Sequence, residues 1–192
     1  MKRCVFTFLF IGICWWAFFV ELLGSHDFEP HVSVLIALGG LVSSALENED
    51  QWYRFLTHLF LHGSLLHLIF NSIALYFGGR FLETLVGSGL FILTFFISGI
   101  AGGWCGLMTS GPQTVLIGAS GAVMGVLSAL LIYVRSLPAS PARRTITLNG
   151  LQMIIPSMIP VISGVSYGAH IGGLLAGLLC GGIICAIKRK PV

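Results

Sequence analysis

Long uncharged stretches alternate with short charged ones along the whole chain. Five stretches hold no Asp, Glu, Lys or Arg: 5–20, 30–46, 55–79, 84–134 and 145–187. A helix needs about 20 apolar residues to cross the hydrocarbon core of a membrane. The two longest stretches therefore each divide into two helices, at the turn signal Ser110-Gly111-Pro112-Gln113 and near Ser163-Gly164.

This pattern predicts an all-α polytopic membrane protein with six transmembrane helices in a single domain, 1–192. The predicted spans cover about 5–23, 64–83, 88–108, 115–134, 145–163 and 168–187. Ser64 follows Gly63 and is a suitable cap for the second helix. The fifth span is the weakest, and its polar and helix-breaking residues predict a short, kinked, mobile helix: Asn149, Gln152, Pro156 and Pro160.

Composition supports the membrane interpretation and excludes other classes. Hydrophobic residues make up 56% of the chain and charged residues 9%, whereas soluble domains carry about 25% charged residues. The 25 glycines suit close helix packing in lipid. The sequence has no basic stripe of the kind that indicates nucleic-acid binding. The five cysteines lack metal or disulfide spacing, so they are interpreted as small core residues.

The Lys and Arg residues predict the direction in which the chain crosses the membrane. With six spans, nine of the ten fall on the side that holds both termini, and the exception is Arg54. Five of the seven acidic residues fall on the opposite side: Asp27, Glu29, Glu47, Glu49 and Asp50. Because positively charged loops stay in the cytoplasm, both termini are expected there.

Two apolar segments allow another interpretation. If 30–46 were a seventh span, Arg80 and the later arginines would move to the outer side, so we interpret it as a helix lying in the outer interface, within a long first loop. The first segment could be a signal peptide. No small-residue cleavage site follows Leu23, and cleavage would break the same charge pattern, so 5–23 is predicted to be a true span.

Four polar residues stand inside the predicted spans: His67, Asn71, Ser120 and His170. Such residues are functional candidates, because polar groups are costly in lipid. His67 and Asn71 share one helix face through their i, i+4 spacing. The predicted topology places all four in the outer third of the membrane.

The surroundings of Ser120 suggest nucleophilic chemistry. Gly118 and Gly121 flank it, so a ligand can approach the backbone and the N–H groups of a helix start stay free for negative charge. A serine attacks only when a base takes its proton, and His170 is the candidate base. Glycines after His170 would let the two helices pack closely.

The expected arrangement is a Ser–His dyad. Glu21 flanks the first span and Glu83 lies at the cytoplasmic end, so no carboxylate is expected in the outer layer. Asn71, His67 and the N–H groups near Ser120 could bind an oxyanion. The opposing interpretations are that Ser120 is a packing residue among glycines, and that His58, His62 and His67 bind metal. However, the histidines lack the Glu of HExxH, and Gly63 interrupts any helix joining them.

Together these residues resemble the rhomboid family of intramembrane serine proteases over the whole chain. Four motifs carry the resemblance, in order: His58-xxx-His62-xxxx-His67-xxx-Asn71, Gly79-xxx-Glu83-xxx-Gly87, Gly118-x-Ser120-Gly121 and Ala169-His170-xx-Gly173-xxx-Gly177. The resemblance implies a six-helix bundle with a long interfacial first loop, in a cell membrane and most simply the bacterial inner membrane. It implies no metal and no cofactor.

The resemblance also implies roles for single residues. Ser120 would be the nucleophile and His170 the general base, while His67, Asn71 and Gly118 would bind the oxyanion. Structural support would come from four further residues: Glu83, Arg54, Gly121 and Gly173. The fifth span would act as a lateral gate. Substrates would be single-span membrane proteins that unwind near the outer face.

Two departures from the family pattern stand out. The Trp-Arg pair of the first loop is interrupted as Trp52-Tyr53-Arg54, and Met124 stands where some members carry an aromatic residue packed on the catalytic histidine. Because Met124 would hold that histidine less firmly, lower activity or altered pH dependence is expected. Two other functions remain open: an inactive relative that binds membrane helices, and a transporter, which would require polar residues in both leaflets.

Overall fold

The computed structural model describes residues 4–46, 49–159 and 166–188. Eight α-helices lie in these ranges: α1 (Val5–Ser25), α2 (Val32–Ala37), α3 (Arg54–Thr57), α4 (Leu65–Val86), α5 (Ser88–Thr109), α6 (Ser120–Arg135), α7 (Pro141–Ser157) and α8 (Tyr167–Lys188). Three 3-10 turns join them: Ser43–Leu46, Glu49–Gln51 and His58–Phe60. Several predictions lie outside the described residues: the end of the fifth span at 160–163, the turn near Ser163 and the charges of Lys2, Arg3, Glu47, Arg189 and Lys190.

Within the described ranges, four helices are long and apolar enough to cross a membrane, namely α1, α4, α5 and α8. Each has 21 or 22 residues, or about 32 Å at 1.5 Å per residue. α6 is apolar but has only 16 residues, and α7 has 17. The count of six spans therefore stays a prediction.

The fourth predicted span begins later than the sequence suggested. Residues 115–119 are not helical, because Leu116 pairs with Leu41 in an isolated antiparallel bridge and Gly118 has φ +111°. α6 therefore starts at Ser120. The fifth helix begins earlier than predicted, at Pro141, where the Ser140 hydroxyl accepts the Arg143 N–H at 3.1 Å and proline suits the first helical position.

The expected single helix over 30–46 is wrong. α2 ends at Ala37, and Gly39 follows with φ +102° in a place where a side chain would collide with Thr57. Such a backbone angle suits glycine and breaks a helix. The buried Arg54 then donates to the carbonyls of Ile36 and Gly40 at 2.7 and 2.8 Å, which folds this segment back onto α3.

Helices α5, α6 and α8 form the centre of the bundle through glycine contacts. A Cβ at Gly173 or Gly177 would collide with the α6 backbone at Gly121 or Gly125. The Ser128 hydroxyl, also on α6, contacts the Leu174 carbonyl of α8 at 2.9 Å. Small residues let helix backbones meet directly. The core therefore brings the start of α6 against the start of α8.

Candidate functional site

Ser120 is the first residue of α6 and is half-buried. The turn before it is fixed by the Gly118 N–H, which donates to the His58 carbonyl at 2.8 Å. The first N–H groups of an α-helix have no partner within the helix and carry partial positive charge. The loop–helix junction thus presents a hydroxyl beside free backbone donors.

α4 brings His67 and Asn71 to this junction. The Ser64 hydroxyl accepts the His67 N–H at 3.3 Å and so caps the helix. A Cβ built on Gly118 would lie 2.6 and 2.8 Å from Cε1 and Nε2 of His67, and 3.6 Å from Nδ2 of Asn71. His67 therefore packs directly on the Gly118 backbone. Asn71 Nδ2 is buried and has no hydrogen-bond partner among the described residues, so it is a donor available to a ligand.

α8 brings His170 close to the start of α6. Its Nδ1 lies 2.8 Å from the carbonyl oxygen of Ser157, at the end of α7. A carbonyl only accepts, so Nδ1 carries the hydrogen and Nε2 keeps a lone pair. A Cβ on Gly121, next to Ser120, would lie 3.3 Å from the Ala169 carbonyl, next to His170. Ser120 and His170 thus each lie next to a residue of this contact between α6 and α8.

Glu83 and Arg54 connect elements away from this junction. The buried Glu83 carboxylate accepts the N–H of Phe6, the N–H and hydroxyl of Thr7 and the hydroxyl of Ser88, at 2.8 to 3.1 Å. It therefore joins the start of α1 to the junction of α4 and α5. Arg54 also donates from Nε to the Gln51 side chain at 2.7 Å. Both residues thus hold separate segments together, and their role as structural supports stays a prediction.

The two departures from the family pattern have different surroundings. Met124 is buried within α6, in the main core. The Ser157 carbonyl accepts a hydrogen bond from the His170 ring, and the Tyr167 ring meets that ring edge-on with centroids 6.3 Å apart. Trp52 is half exposed and stacks on Phe55 at 5.6 Å.

A carboxylate that the sequence pattern placed at the flank of the first span lies inside the bundle. Glu21 is wholly buried within α1, and its two oxygens accept the N–H of His62 at 3.2 and 3.3 Å. The expectation that no carboxylate lies in the outer layer with the candidate site residues is wrong, because α1 continues to Ser25 and Glu21 faces inward. Its spacing from Cys14 and Phe18, which are also buried, was a signal of that inward face.

Two histidines of the first motif, His58 and His62, are held as neutral groups. Nδ1 of His58 donates to the Arg54 carbonyl at 2.7 Å, and Nδ1 of His62 donates to the Phe60 carbonyl at 3.1 Å. Burial lowers the pKa of His58 to about 4 and the pKa of His62 to about 3. Within the described residues, no three His, Cys, Asp or Glu side chains lie close enough to hold a metal ion.

The chain belongs to the rhomboid family, since the family model described as Rhomboid domain matches residues 49–187. It is 35% identical over 171 residues to Rhomboid protease GluP of Bacillus subtilis (strain 168), which covers 88% of this chain and 32% of that protein. It is 29% identical over 178 residues to Rhomboid protease GlpG of Klebsiella pneumoniae, which covers 88% and 59%. The putative rhomboid protease YdcA of Bacillus subtilis is 29% identical over 148 residues, covering 73% and 70%.

These comparisons confirm the resemblance drawn from the four motifs. With its long apolar helices, the chain is an integral, multi-pass membrane protein. It spans about a third of the length of GluP and just over half of GlpG.

Proposed function

We propose that the chain is an intramembrane serine endopeptidase that cleaves transmembrane segments of membrane proteins near the outer face. Ser120 is the nucleophile and His170 the general base. The observation that carries this proposal is the 2.8 Å hydrogen bond from Nδ1 of His170 to the Ser157 carbonyl. It leaves Nε2 as a proton acceptor on the helix that packs against the start of α6. The protease names of the relatives GluP and GlpG support the same reaction class.

The reaction is acyl transfer to Ser120. As Oγ attacks the peptide carbonyl, its proton passes to Nε2 of His170, which then donates that proton to the leaving amine. Water next attacks the acyl-enzyme ester, giving its proton to the same Nε2. That proton returns to Oγ of Ser120 when the acid product leaves. No metal or cofactor takes part.

The oxyanion of each tetrahedral intermediate lies between α4 and the start of α6. Its donors are the unpartnered Nδ2 of Asn71, the His67 ring and the backbone N–H groups that begin at Ser120. Such donors lower the barrier because they meet charge that develops only in the transition state. Gly118 lets them approach closely.

α7 is the lateral gate for substrate helices. Its buried residues are Gly150 and Ile154, whereas Leu148, Leu151 and Ile155 are exposed, so it packs loosely against the bundle. Helical amides are already hydrogen-bonded, so a substrate must unwind before attack. Single-span proteins with small or helix-breaking residues near the outer face fit this requirement. The chain crosses a bacterial inner membrane six times and has both termini in the cytoplasm.

The test is cleavage of a single-span model substrate with a Gly/Pro-containing outer segment, in proteoliposomes. Wild-type protein is expected to give two fragments of defined mass. Ser120→Ala and His170→Ala are expected to lower kcat at least about 1,000-fold. The controls Ser136→Ala and His31→Ala change an exposed serine and an exposed histidine and should retain full activity.

Three results would contradict the proposal. Equal cleavage by Ser120→Ala would exclude this serine as the nucleophile. Substrate helices that bind to the wild-type protein and stay intact at all tested sequences would instead support an inactive helix-binding relative. Solute flux that depends on His170 would support a transporter.

A further inference from the structure

Glu21 takes no part in the proposed chemistry, yet it is a wholly buried carboxylate. Burying such a group costs free energy unless donors or an opposite charge compensate for it. Among the described residues, no cationic side chain forms an ion pair with Glu21. Both Glu21 oxygens are directed to one donor, the backbone N–H of His62.

His62 is held from two sides. Glu21 fixes its backbone, and the Phe60 carbonyl accepts its Nδ1–H at 3.1 Å. The ring is wholly buried, and Nε2 has no hydrogen-bond partner within the described part of the chain. The position of the ring therefore depends on these two hydrogen bonds and on packing.

The His62 ring packs edge-on against the His67 ring. Their centroids lie 5.1 Å apart with an interplanar angle of 63°. His67 in turn contacts the Gly118 backbone, two residues before Ser120. A continuous series of contacts thus leads from Glu21 through His62 and His67 to the loop that carries the candidate nucleophile.

We propose that Glu21 is a positioning residue of the oxyanion pocket. By holding the His62 backbone it sets the His62 ring, which keeps His67 against Gly118. This inference rests on the proposed serine protease function. A misplacement of about 1 Å can cost about 100-fold in rate. Because oxyanion donors act on the transition state, the loss should appear in kcat and not in KM.

Two substitutions separate the acceptor from the space it fills. Glu21→Gln retains an oxygen for the His62 N–H, whereas Glu21→Leu fills a similar volume without an acceptor. Leucine removes the cost of burying a carboxylate but leaves the His62 N–H without an acceptor, so the leucine variant is expected to fold with a modest loss of stability. Glu21→Met is the second apolar variant, because its flexible side chain adapts to the same space. The control is Glu29→Gln, on the exposed outer loop.

The measurements are kcat and KM for the single-span model substrate, the rate of fluorophosphonate labelling and the thermal unfolding midpoint. We expect Glu21→Leu and Glu21→Met to lower kcat and the labelling rate about 10- to 100-fold, with KM within about twofold. Glu21→Gln should restore kcat to within about threefold of wild type. The control should match wild type.

Three outcomes would overturn the inference. A folded leucine or methionine variant with wild-type kcat would show that the acceptor is dispensable. A glutamine variant as impaired as the apolar ones would show that the held N–H is not the cause. A loss of kcat that follows the fall in unfolding midpoint across all variants would reduce Glu21 to a stability role. A wild-type protein that neither labels nor cleaves would instead refute the proposed function.

Discussion

At the residue scale, both the backbone angle and the nearest neighbour of Gly118 restrict this position to glycine. Its φ of +111° disfavours any side chain, and its Cα faces the His67 ring at a distance where a Cβ would lie 2.6 Å from Cε1. The sequence predicted a glycine requirement here from the close approach of a ligand. The structure shows a second reason, because the His67 ring already fills the space that a side chain at position 118 would need.

Gly118→Ala should therefore impair catalysis more than folding. The new methyl group would displace His67 and strain the turn before Ser120, so we expect kcat to fall about 100-fold with a smaller change in KM. Gly89→Ala is the matched control, because a Cβ there meets nothing within 4 Å. Steady-state kinetics of both variants measure the effect. Wild-type kcat in Gly118→Ala would show that this approach is not needed.

The burial of Glu21 was not predicted from the sequence. Counting charges treats an acidic residue near the end of an apolar run as a flank, because the cost of burying it is high. The backbone N–H of His62 reduces that cost here, and this partner is 41 positions away in the chain. A pattern within one helix cannot show such a partner, although the inward face shared with Cys14 and Phe18 indicated where Glu21 points.

At the scale of elements, hydropathy located the long helices well and the irregular segments poorly. α1, α4, α5 and α8 fall on long apolar runs, which a helix satisfies with its own hydrogen bonds. The segments 30–46 and 115–119 are apolar too, but contacts with distant parts of the chain determine their backbone conformation. The Leu41–Leu116 bridge and the hydrogen bonds of Arg54 to Ile36 and Gly40 join residues far apart in sequence.

A hydrogen bond between the start of α8 and the residues after α7 gives a prediction at the scale of elements. The Tyr167 hydroxyl donates to the Ile159 carbonyl at 2.9 Å, two residues after the Ser157 carbonyl that holds His170. Tyr167→Phe removes this tie and should loosen the end of α7. One hydrogen bond contributes about 0.5–1.5 kcal/mol, so we expect kcat to fall up to about tenfold.

The readout is kcat and KM of Tyr167→Phe beside Tyr133→Phe, which changes a half-buried tyrosine of α6. Loss of the α7 tie should lower kcat while KM stays within about twofold. An equal loss in both variants would point to general destabilisation. A Tyr167→Phe variant with unchanged kcat would show that the end of α7 does not position His170.

At the scale of the molecule, the sequence predicted that the candidate residues lie at a similar depth near one end of the bundle. Charge counting gave each polar residue a depth, and the helix contacts bring His67 and Asn71 to Gly118 and place Ser120 and His170 at the α6–α8 contact. The link from His170 to the end of α7 could not be foreseen, because it depends on where the Pro156-containing helix ends. This link makes α7, the proposed gate helix, part of the candidate site.

The central claim is that His170 activates Ser120, and labelling of the purified, detergent-solubilised protein with a fluorescent fluorophosphonate tests it most directly. The account predicts a single adduct on the peptide that contains Ser120, none in Ser120→Ala, and labelling slowed at least about 100-fold in His170→Ala. His31→Ala should label like wild type. Equal labelling of all these proteins, or none of the wild type across a range of pH and detergent, would contradict it.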